Sequence, residues 1–424
     1  MQKKDGIMFE RYKLIFLSTI AVIICYIDRV NISVAIIPMQ EQFGWSESQV
    51  GLIFSSFYLG YMLTMAIGGY LSDKFGGKLV LGCGVVLWSI FTISTPVAAY
   101  NGFFALFFIR VLMGVGEGVT FPAWHSLYAR WIPFEERARA IAFTNSGIAI
   151  GTIIGYIGTQ MIIVYKGWEL AFYIFGVVGL IWFIFWYRLV SSYPSEQSSI
   201  SSAELRFIAE NAPSSTSAQE IPLSKLFLNK PFLAIVSATF ANNWSLFIFL
   251  SFLPKFIDNE LGIDLESSLF VILVIIPSIF SLIALNLGGY FADNYIKKGY
   301  QVIIVRKIAN SIGFFGSAVC IFLIPFFETI ISVMFLICLT NIFTGAAAGG
   351  FGVNHADIAP NSTGTLVGVA STFGMIAGVF GNAISGYLLD ITDSWMLIFH
   401  IAAVLLVFGG IIYIFFASDQ KQFE

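Results

Sequence analysis

Long apolar runs dominate this chain and limit what it can fold into. Twelve of them are about as long as the roughly 20 residues that a helix needs to cross a lipid bilayer. They cover approximately residues 14–37, 48–71, 79–99, 103–127, 139–163, 169–189, 231–256, 267–291, 302–325, 329–351, 364–388 and 395–417. Lipid offers a backbone no hydrogen-bond partners, so these runs are expected to be helices and not strands. The sequence predicts an all-α integral membrane protein with twelve transmembrane helices.

Composition excludes a soluble protein. Of the 424 residues, 58% are hydrophobic and only 11% are charged, more apolar surface than a soluble domain can bury. The first apolar run is too long for a signal-peptide core, so it is interpreted as a retained helix. The four cysteines lie in apolar runs without metal-ligand spacing and are interpreted as small apolar side chains. They are Cys25, Cys83, Cys320 and Cys338.

Lysine and arginine predict the orientation, because they accumulate on the cytoplasmic side of membrane proteins. One side receives the N-terminal tail, Lys74, Lys78, Arg130, Arg137, Arg139, the segment from Arg188 to Lys230, the segment from Lys297 to Lys307, and Lys421. The opposite side keeps only Lys166 and Lys255. Both termini are therefore predicted to be cytoplasmic.

A polar segment divides the spans into two groups of six. Residues 191–230 are rich in serine, proline and glutamate and are interpreted as a cytoplasmic linker, with one short amphipathic helix around residues 203–210. The predicted halves are residues 1–190 and 231–424. They echo each other, since "GGYLSD" (68–73) closes span two and "GGYFAD" (288–293) closes span eight. Glycines spaced by four residues recur in spans five and eleven and favour close helix packing. Such repeats are typical of secondary transporters, which bind substrate near the middle of the membrane.

Several motifs resemble a known family. The segment "GGYLSDKFGGK" (68–78) resembles the loop motif of the major facilitator superfamily. Three further segments are similar to its anion:cation symporter family: "YIDRVNISVA" (26–35), residues 110–140, and "GFGVNHADIAPNSTGTLVGVAST" (350–372). That family includes galactonate and hexuronate transporters, sialin, vesicular glutamate transporters and plastid phosphate or anion transporters. The resemblance implies the major facilitator fold and transport by alternating access.

Four ionisable residues lie deep within predicted spans: Asp28, Arg29, Arg110 and Glu117. Such residues are costly in lipid and usually functional. Arg110 and Glu117 are seven residues apart, so they share one helix face at a separation of about 10 Å. Counting from the outer helix ends, all four can cluster in the outer to middle part of the membrane. Their charges sum to zero, and protonating one acid leaves a guanidinium able to grip a carboxylate or phosphate.

The resemblance implies a role for each of the four. Arg29 matches the position that binds the substrate anion, and Asp28 matches the first-span acid of the sugar-acid transporters. Glu117 matches the fourth-span acid used for proton coupling, with Arg110 as its arginine partner. The alternative is that Asp28–Arg29 and Arg110–Glu117 are structural ion pairs only.

Polar and aromatic side chains in other spans are candidate substrate contacts. They are Tyr26, Tyr58, Tyr61, Asn242, Asn243, Trp244 and Asn341. The alternative is that the tyrosines and the tryptophan pack in the core and the amides link helices. Vesicular glutamate transporters have a histidine where this chain has Phe54 and an arginine where it has Asn242. The missing second cation argues against glutamate and favours a monoanion that carries hydroxyl groups.

Gating residues are predicted near the cytoplasmic ends of the spans. The resemblance makes Asp73 part of a latch between the halves, with Lys74 and Lys78 anchored at the lipid headgroups. Arg137, in "EER" (135–137), is interpreted as part of the counterpart latch. His125 is a candidate for the inner gate or a proton path, and the alternative is a structural histidine. His355 and Asp357 are expected in the turn between spans ten and eleven, within a gating or capping network.

These observations together predict a proton-coupled symporter for a small organic anion. The expected substrate is a sugar acid such as a hexonate or hexuronate, or a sialic acid-like carboxylate. The alternative is sodium-coupled or exchange transport of inorganic phosphate or another small anion. No phosphate loop, zinc motif or nucleophile elbow occurs, so an enzyme is not expected. We expect no cofactor or metal, a proton or else sodium as the coupling ion, no nucleic-acid partner, and a monomer in the lipid bilayer. A bacterial inner membrane or a plasma membrane is predicted, and "NHADIAP", which looks like the organellar members, leaves an organelle as the alternative.

Overall fold

The computed structural model describes residues 9–211 and 223–423, which form helices joined by short loops, with no strand in these ranges. The helices are α1 (Glu10–Phe43), α2 (Glu47–Phe75), α3 (Gly77–Tyr100), α4 (Phe103–Glu117), α5 (Thr120–Trp131), α6 (Phe134–Lys166), α7 (Trp168–Leu189), α8 (Ser202–Asn211), α9 (Leu223–Leu228), α10 (Lys230–Asn259), α11 (Ser268–Lys297), α12 (Val302–Leu323), α13 (Ile330–Ala347), α14 (Phe351–Ile358), α15 (Thr363–Thr392) and α16 (Met396–Phe416). Short 3₁₀ turns occur at Pro194–Glu196, Ile324–Phe326 and Pro360–Ser362.

The predicted membrane spans are present as helices. Within the described residues, eleven helical segments are long and apolar enough to cross a membrane. Helix α2 makes a twelfth if its two parts, Glu47–Met65 and Ile67–Phe75, are counted as one span bent by 48°. The prediction of an all-α integral membrane protein is confirmed.

The fourth span of each predicted half is broken at glycine. Helix α4 ends at Glu117 before Gly118, and α5 continues the same span. Helix α13 likewise ends before Gly349 and Gly350, and α14 continues that span to Ile358. His355 and Asp357 therefore lie in a helix, and their predicted place in a turn is wrong. The helix resumes after the glycines and ends ahead of Pro360, which disfavours helical geometry in the residue before it.

Local sequence signals explain several helix boundaries. The Asn229 side chain accepts a hydrogen bond from the amide of Phe232 at 2.9 Å and caps the start of α10. Thr329 caps α13 in the same way. Tight junctions after α2 and α6 use Gly76 and Gly167, whose φ angles of 84° and 90° suit glycine better than other residues.

The spaced glycines bring helices close together. A Cβ atom at Gly147 of α6 would lie 2.9 Å from the carbonyl oxygen of Thr19 in α1, and one at Gly155 would lie 2.5 Å from the Val30 side chain. In α15, a Cβ at Gly374 would lie 2.5 Å from the amide nitrogen of Asn243 in α10. These contacts support the interpretation of the glycines as packing residues.

Two compact units are distinguished by their internal contacts. One comprises Met1–Asn31 and Gly60–Thr216, and the other comprises Ile32–Leu59 and Ser217–Glu424. Helices α1 and α2 therefore contribute to both units. The predicted division into residues 1–190, 191–230 and 231–424 stays a prediction.

The linker contains the short helix that the sequence predicts. Helix α8 spans Ser202–Asn211, and its Glu204 lies against the start of α1. The Glu204 carboxylate accepts hydrogen bonds from the amides of Glu10 at 3.1 Å and Arg11 at 3.2 Å. This carboxylate therefore satisfies the free N–H groups at the first turn of α1. Linker residues 212–222 and the tail residues Lys3 and Lys4 lie outside the described residues.

Candidate functional site

An ion pair buried in the first unit joins α1 to α4. The Nη2 atom of Arg29 lies 3.0 Å from Oε2 of Glu117, and the two side chains are 4% and 0% exposed. The residues are 88 positions apart in the chain, so only the packing of α1 against α4 brings them together. A buried pair of this kind joins a permanent cation to an acid that can take up a proton.

Three neighbouring side chains contact this ion pair. The guanidinium carbon of Arg29 lies 4.5 Å from the ring centroid of Tyr26 and 4.9 Å from that of Tyr61, within the range of cation–π contacts. The thiol of Cys25 donates to Glu117 Oε2 at 3.1 Å. The interpretation of Cys25 as an apolar side chain is therefore wrong, because its thiol is a hydrogen-bond donor to a carboxylate.

The other two ionisable residues belong to the same buried cluster. Asp28 is 0% exposed, and its Oδ2 accepts a hydrogen bond from the indole N–H of Trp88 at 3.1 Å. Arg110 is 1% exposed and has Nη1 2.9 Å from the sulfur of Met113. Arg110 and Glu117 both act electrostatically on Asp28. The structure thus brings together Asp28, Arg29, Arg110 and Glu117, with Tyr26 and Tyr61 beside them.

The remaining candidate substrate residues lie in the second unit. Tyr58 is 3% exposed and packs against Phe247, with ring centroids 4.4 Å apart. The Asn242 amide donates to Asn243 at 3.4 Å, and Trp244 packs against a neighbouring aromatic ring of α10. Asn341 donates to a carbonyl of its own helix, the carbonyl of Ile337, at 2.9 Å. These hydrogen bonds join groups within one helix or between neighbouring amides, so they do not test whether the residues contact a substrate. The proposed substrate contacts therefore stay predictions.

The predicted gating residues of the first unit contact neighbouring helices of that unit. Asp73 accepts a hydrogen bond from Ser126 at 3.0 Å and lies 3.5 Å from Arg130. The Asp73 side chain is 75% exposed, so this ion pair contributes little to stability. Arg137 donates to the carbonyls of Ala129 at 2.9 Å and Ile132 at 3.2 Å, which satisfies the end of α5.

The other three gating candidates of this unit make aromatic contacts. The ammonium of Lys74 lies 5.3 Å from the ring centroid of Phe75, and that of Lys78 lies 4.9 Å from the ring centroid of Tyr187. The His125 side chain is exposed and its ring stacks on Trp124 at 3.7 Å. These contacts leave the headgroup-anchoring and gating roles as predictions.

In the second unit, Asp357 belongs to a network that sequence reasoning only partly anticipated. Arg306, 8% exposed, pairs with Asp357 at 2.9 Å and donates to the carbonyl of Gly349 at 3.0 Å. Asn354 also donates to Asp357 at 3.1 Å, and the adjacent His355 is 5% exposed. Arg306 was assigned with the cytoplasmic cations because basic residues surround it. Its position inside the apolar run 302–325 was the signal that it is buried.

A second buried cluster was also missed. Lys255 of α10 is 3% exposed, and its ammonium lies 2.6 Å from Glu47 at the start of α2. It also contacts the side-chain oxygen of Gln40, whose amide nitrogen donates to Glu47 at 2.9 Å. Lys255 was counted only as a marker of membrane side, although it falls inside the predicted span 231–256.

Comparison with known protein families identifies the family of this chain. The family profile described as Major Facilitator Superfamily matches residues 18–382. The chain belongs to the Major Facilitator Superfamily. Membership confirms the prediction of a membrane transporter rather than an enzyme.

Relatives match this superfamily chain over nearly its whole length. Probable anion transporter 4, chloroplastic, of Oryza sativa subsp. japonica is 37% identical and aligns with 98% of this chain and 70% of its own. The chloroplastic ascorbate transporter of Arabidopsis thaliana is 36% identical and aligns over 97% and 76%. Sialin of Homo sapiens is 33% identical and aligns over 97% and 90%. These relatives confirm the resemblance to the anion:cation symporter family.

Solved structures confirm the fold. A bacterial homologue of the human lysosomal transporter Spinster, inward-facing and unoccupied, superimposes with a TM-score of 0.79 over 98% of this chain and 100% of that one. A D-xylose–proton symporter gives 0.78 over 97% and 99%. Both are 16% identical, so the likeness concerns the major facilitator fold alone.

The predicted location is wrong. The sequence led us to a bacterial inner membrane or a plasma membrane, whereas several of the relatives that match this chain are chloroplastic proteins of plants. The multi-pass membrane character is supported. The charge bias of the loops indicates the orientation of the protein in a membrane but not which membrane it occupies. The type of membrane was therefore predicted wrongly from the sequence.

Proposed function

We propose that this chain carries a small organic anion across an organellar membrane together with protons, by alternating access. The observation that carries the proposal is the Arg29–Glu117 ion pair, 3.0 Å long and almost wholly buried. A guanidinium keeps its proton under all physiological conditions, whereas a carboxylate can be neutralised. The pair therefore has two states. In one, the Arg29 guanidinium is bound to the ionised Glu117 carboxylate, and in the other, Glu117 is protonated and no longer neutralises the guanidinium.

Each state favours a different ligand. While Glu117 is ionised, its Oε2 holds the Arg29 Nη2 and a second anion is repelled. A proton on Glu117 removes that negative charge and leaves the guanidinium fork to bind a substrate carboxylate through charge-assisted hydrogen bonds. Proton binding and anion binding then favour each other, which is thermodynamic coupling between the two ligands.

Asp28 and Arg110 serve in this proposal as a second, balancing pair of charges. Both side chains are buried and act electrostatically on each other. Asp28 is the second acid that can load a proton, and Arg110 compensates the negative charge while both acids are ionised. The cluster then stays close to neutral in every loaded state, as low-dielectric surroundings require.

The expected substrate is a monoanion with hydroxyl groups, such as a sugar acid or a sialic acid-like carboxylate. One arginine fork in the cluster suits one carboxylate. Relatives named ascorbate transporter and sialin support this class of solute, and the chloroplastic relatives support an organellar membrane. No cofactor is required, the coupling ion is the proton, and the chain works as a monomer.

Uptake into proteoliposomes tests the coupling. With a pH gradient, Glu117→Gln is expected to lose net uptake of the anion and to keep exchange of labelled for unlabelled substrate, because glutamine imitates the protonated acid permanently. Glu266→Gln, at an exposed glutamate outside the cluster, is the matched control and keeps both activities. Full proton-driven uptake by the Glu117→Gln variant would show that Glu117 is not the coupling acid. A sodium gradient that drives uptake in place of protons would favour the sodium-coupled alternative.

Binding measurements test the anion site. The substrate is first identified by thermal-shift screening against sugar acids, ascorbate, sialic acid, amino-acid anions and phosphate. Arg29→Lys is then expected to weaken binding about tenfold or more, because a point charge lacks the two-pronged donor geometry of arginine. An affinity equal to that of the parent protein would remove Arg29 from the anion site.

A further inference from the structure

The indole of Trp88 makes a contact with the buried cluster that the proposed mechanism does not use. Its Nε1 lies 3.1 Å from Oδ2 of Asp28. An indole N–H only donates, so Asp28 is the acceptor whichever protonation state it adopts. The other carboxylate oxygen, Oδ1, has no hydrogen-bond partner within the described part of the chain.

The position of Trp88 is held by close helix packing. Trp88 is 0% exposed, and a Cβ atom at Gly116 of α4 would lie 2.9 Å from its backbone nitrogen. A Cβ at Gly84, one turn earlier in α3, would lie 2.8 Å from the carbonyl oxygen of Gly116. The close crossing of α3 and α4 therefore fixes the backbone that carries the buried indole.

We propose that Trp88 is a positioning residue that sets the proton affinity of Asp28 and directs the proton to Oδ1. This inference rests on the proposed function, in which Asp28 is one of the two acids that load protons. A hydrogen bond donated to a carboxylate stabilises the ionised form more than the neutral form. The indole thereby keeps Asp28 ready to release its proton, and it occupies the oxygen that the proton does not take.

Other charged groups also act on Asp28 and belong to the same account. Arg110 and Glu117 act on it electrostatically from α4, the Cys25 thiol interacts with it from the preceding turn of α1, and Arg29 follows it directly in α1. The uncharged Trp88 contacts Asp28 from α3. Trp88 can therefore be altered without changing the charge of the cluster, which separates its effect from that of the ion pairs.

Infrared pH titration of the purified protein tests the proposal without any substrate. The carboxylic C=O stretch that disappears in Asp28→Asn identifies protonated Asp28. In Trp88→Phe the midpoint of that band is expected to move to higher pH by about one unit, a tenfold gain in proton affinity, because the donor to the ionised form is lost. Proton-driven uptake should shift along the pH axis in the same direction.

Trp182→Phe is the matched control. The indole of Trp182 is also buried in the first unit, and it donates to a backbone carbonyl, that of Leu17, at 3.0 Å. Losing that bond lowers stability but involves no titratable group, so the Asp28 band keeps its midpoint. If Trp88→Phe does not fold, benzothienylalanine at position 88 preserves the shape of the side chain and replaces N–H by sulfur.

The outcomes separate this inference from the function on which it rests. An Asp28 band with the same midpoint in the parent and the Trp88 variant, or a band that does not titrate, overturns the positioning role. Absence of proton-dependent anion uptake by the parent protein overturns the proposed function instead. A shifted midpoint in Trp88→Phe with an unshifted one in Trp182→Phe supports the role.

Discussion

Replacing Lys255 by methionine should loosen the contact between the 32–59 segment and α10 in the second unit. The ammonium of Lys255 lies 2.6 Å from Glu47 and is almost wholly buried. Removing one partner of a fully buried ion pair costs about 3–5 kcal/mol. The remaining Glu47 side chain is 24% exposed and keeps a 2.9 Å hydrogen bond from Gln40, so part of that cost is recovered. We expect the arrangement in which the 32–59 segment is packed on α10, here called closed, to lose about 1–3 kcal/mol relative to an open one in which this contact is broken. The ratio of closed to open molecules then falls about 5- to 150-fold.

A cysteine at Ser55 reports this opening. Ser55 is 4% exposed, and its hydroxyl donates to the carbonyl of Val379 in α15 at 2.5 Å, so a thiol at this position is shielded while α2 and α15 remain packed. In proteoliposomes, a membrane-impermeant maleimide should label Ser55→Cys about 5- to 150-fold faster when Lys255→Met is also present. The parent chain, with its four natural cysteines, sets the background rate.

Two comparisons make this measurement decisive. Asn259→Cys, exposed near the end of α10, should react at the same rate with and without Lys255→Met. Glu47→Gln should open the contact more than Lys255→Met, because it leaves the ammonium, in a side chain that is 3% exposed, without its 2.6 Å ion-pair partner. If labelling of Ser55→Cys is unchanged in a folded Lys255→Met protein, the buried cluster does not hold this contact closed and the reasoning is wrong.

Three further perturbations test the packing and capping described above. Arg306→Gln should lower the stability of the folded protein by about 2–4 kcal/mol, because it leaves the 18% exposed Asp357 without its cation. A melting temperature equal to that of the parent would contradict this. Glu204→Gln should weaken the cap on α1 by about 1 kcal/mol, which would be measured as faster hydrogen exchange at residues 10–13. Unchanged exchange would show that the linker helix α8 does not stabilise α1. Gly151→Ala should cost about 1–3 kcal/mol of stability, because the added methyl group forces α6 away from α1. Gly69→Ala, which has open space at its Cβ, should be nearly neutral. Equal melting temperatures for the two variants would refute close packing at Gly151.

Much of the candidate site was predictable from individual residues, and the way in which they pair was not. An ionisable residue inside an apolar run is visible without a structure, so Asp28, Arg29, Arg110 and Glu117 were found at once. Lys255 and Arg306 satisfied the same criterion. They were overlooked because each was assigned to a charged loop beside its run.

The partners of the cluster carry no such signal. Cys25 and Trp88 look like ordinary apolar residues of membrane helices, and only their distances of 3.1 Å to Glu117 and Asp28 reveal their polar role. Nothing in the spacing of one helix indicates which oxygen of a carboxylate on another helix will receive a thiol or an indole N–H.

The amino-acid sequence by itself determined the membrane-spanning helices, because the number of consecutive apolar residues needed to cross lipid is a property of each segment alone. It also determined the repeated glycine motifs, the linker helix and the presence of four buried charges. Tertiary structure alone decided that Arg29 meets Glu117 across 88 residues, that α2 bends by 48°, and that α1 and α2 each contribute to two compact units. Those features depend on the rotation and tilt of each helix against its neighbours, which are set by side-chain packing among helices far apart in the chain.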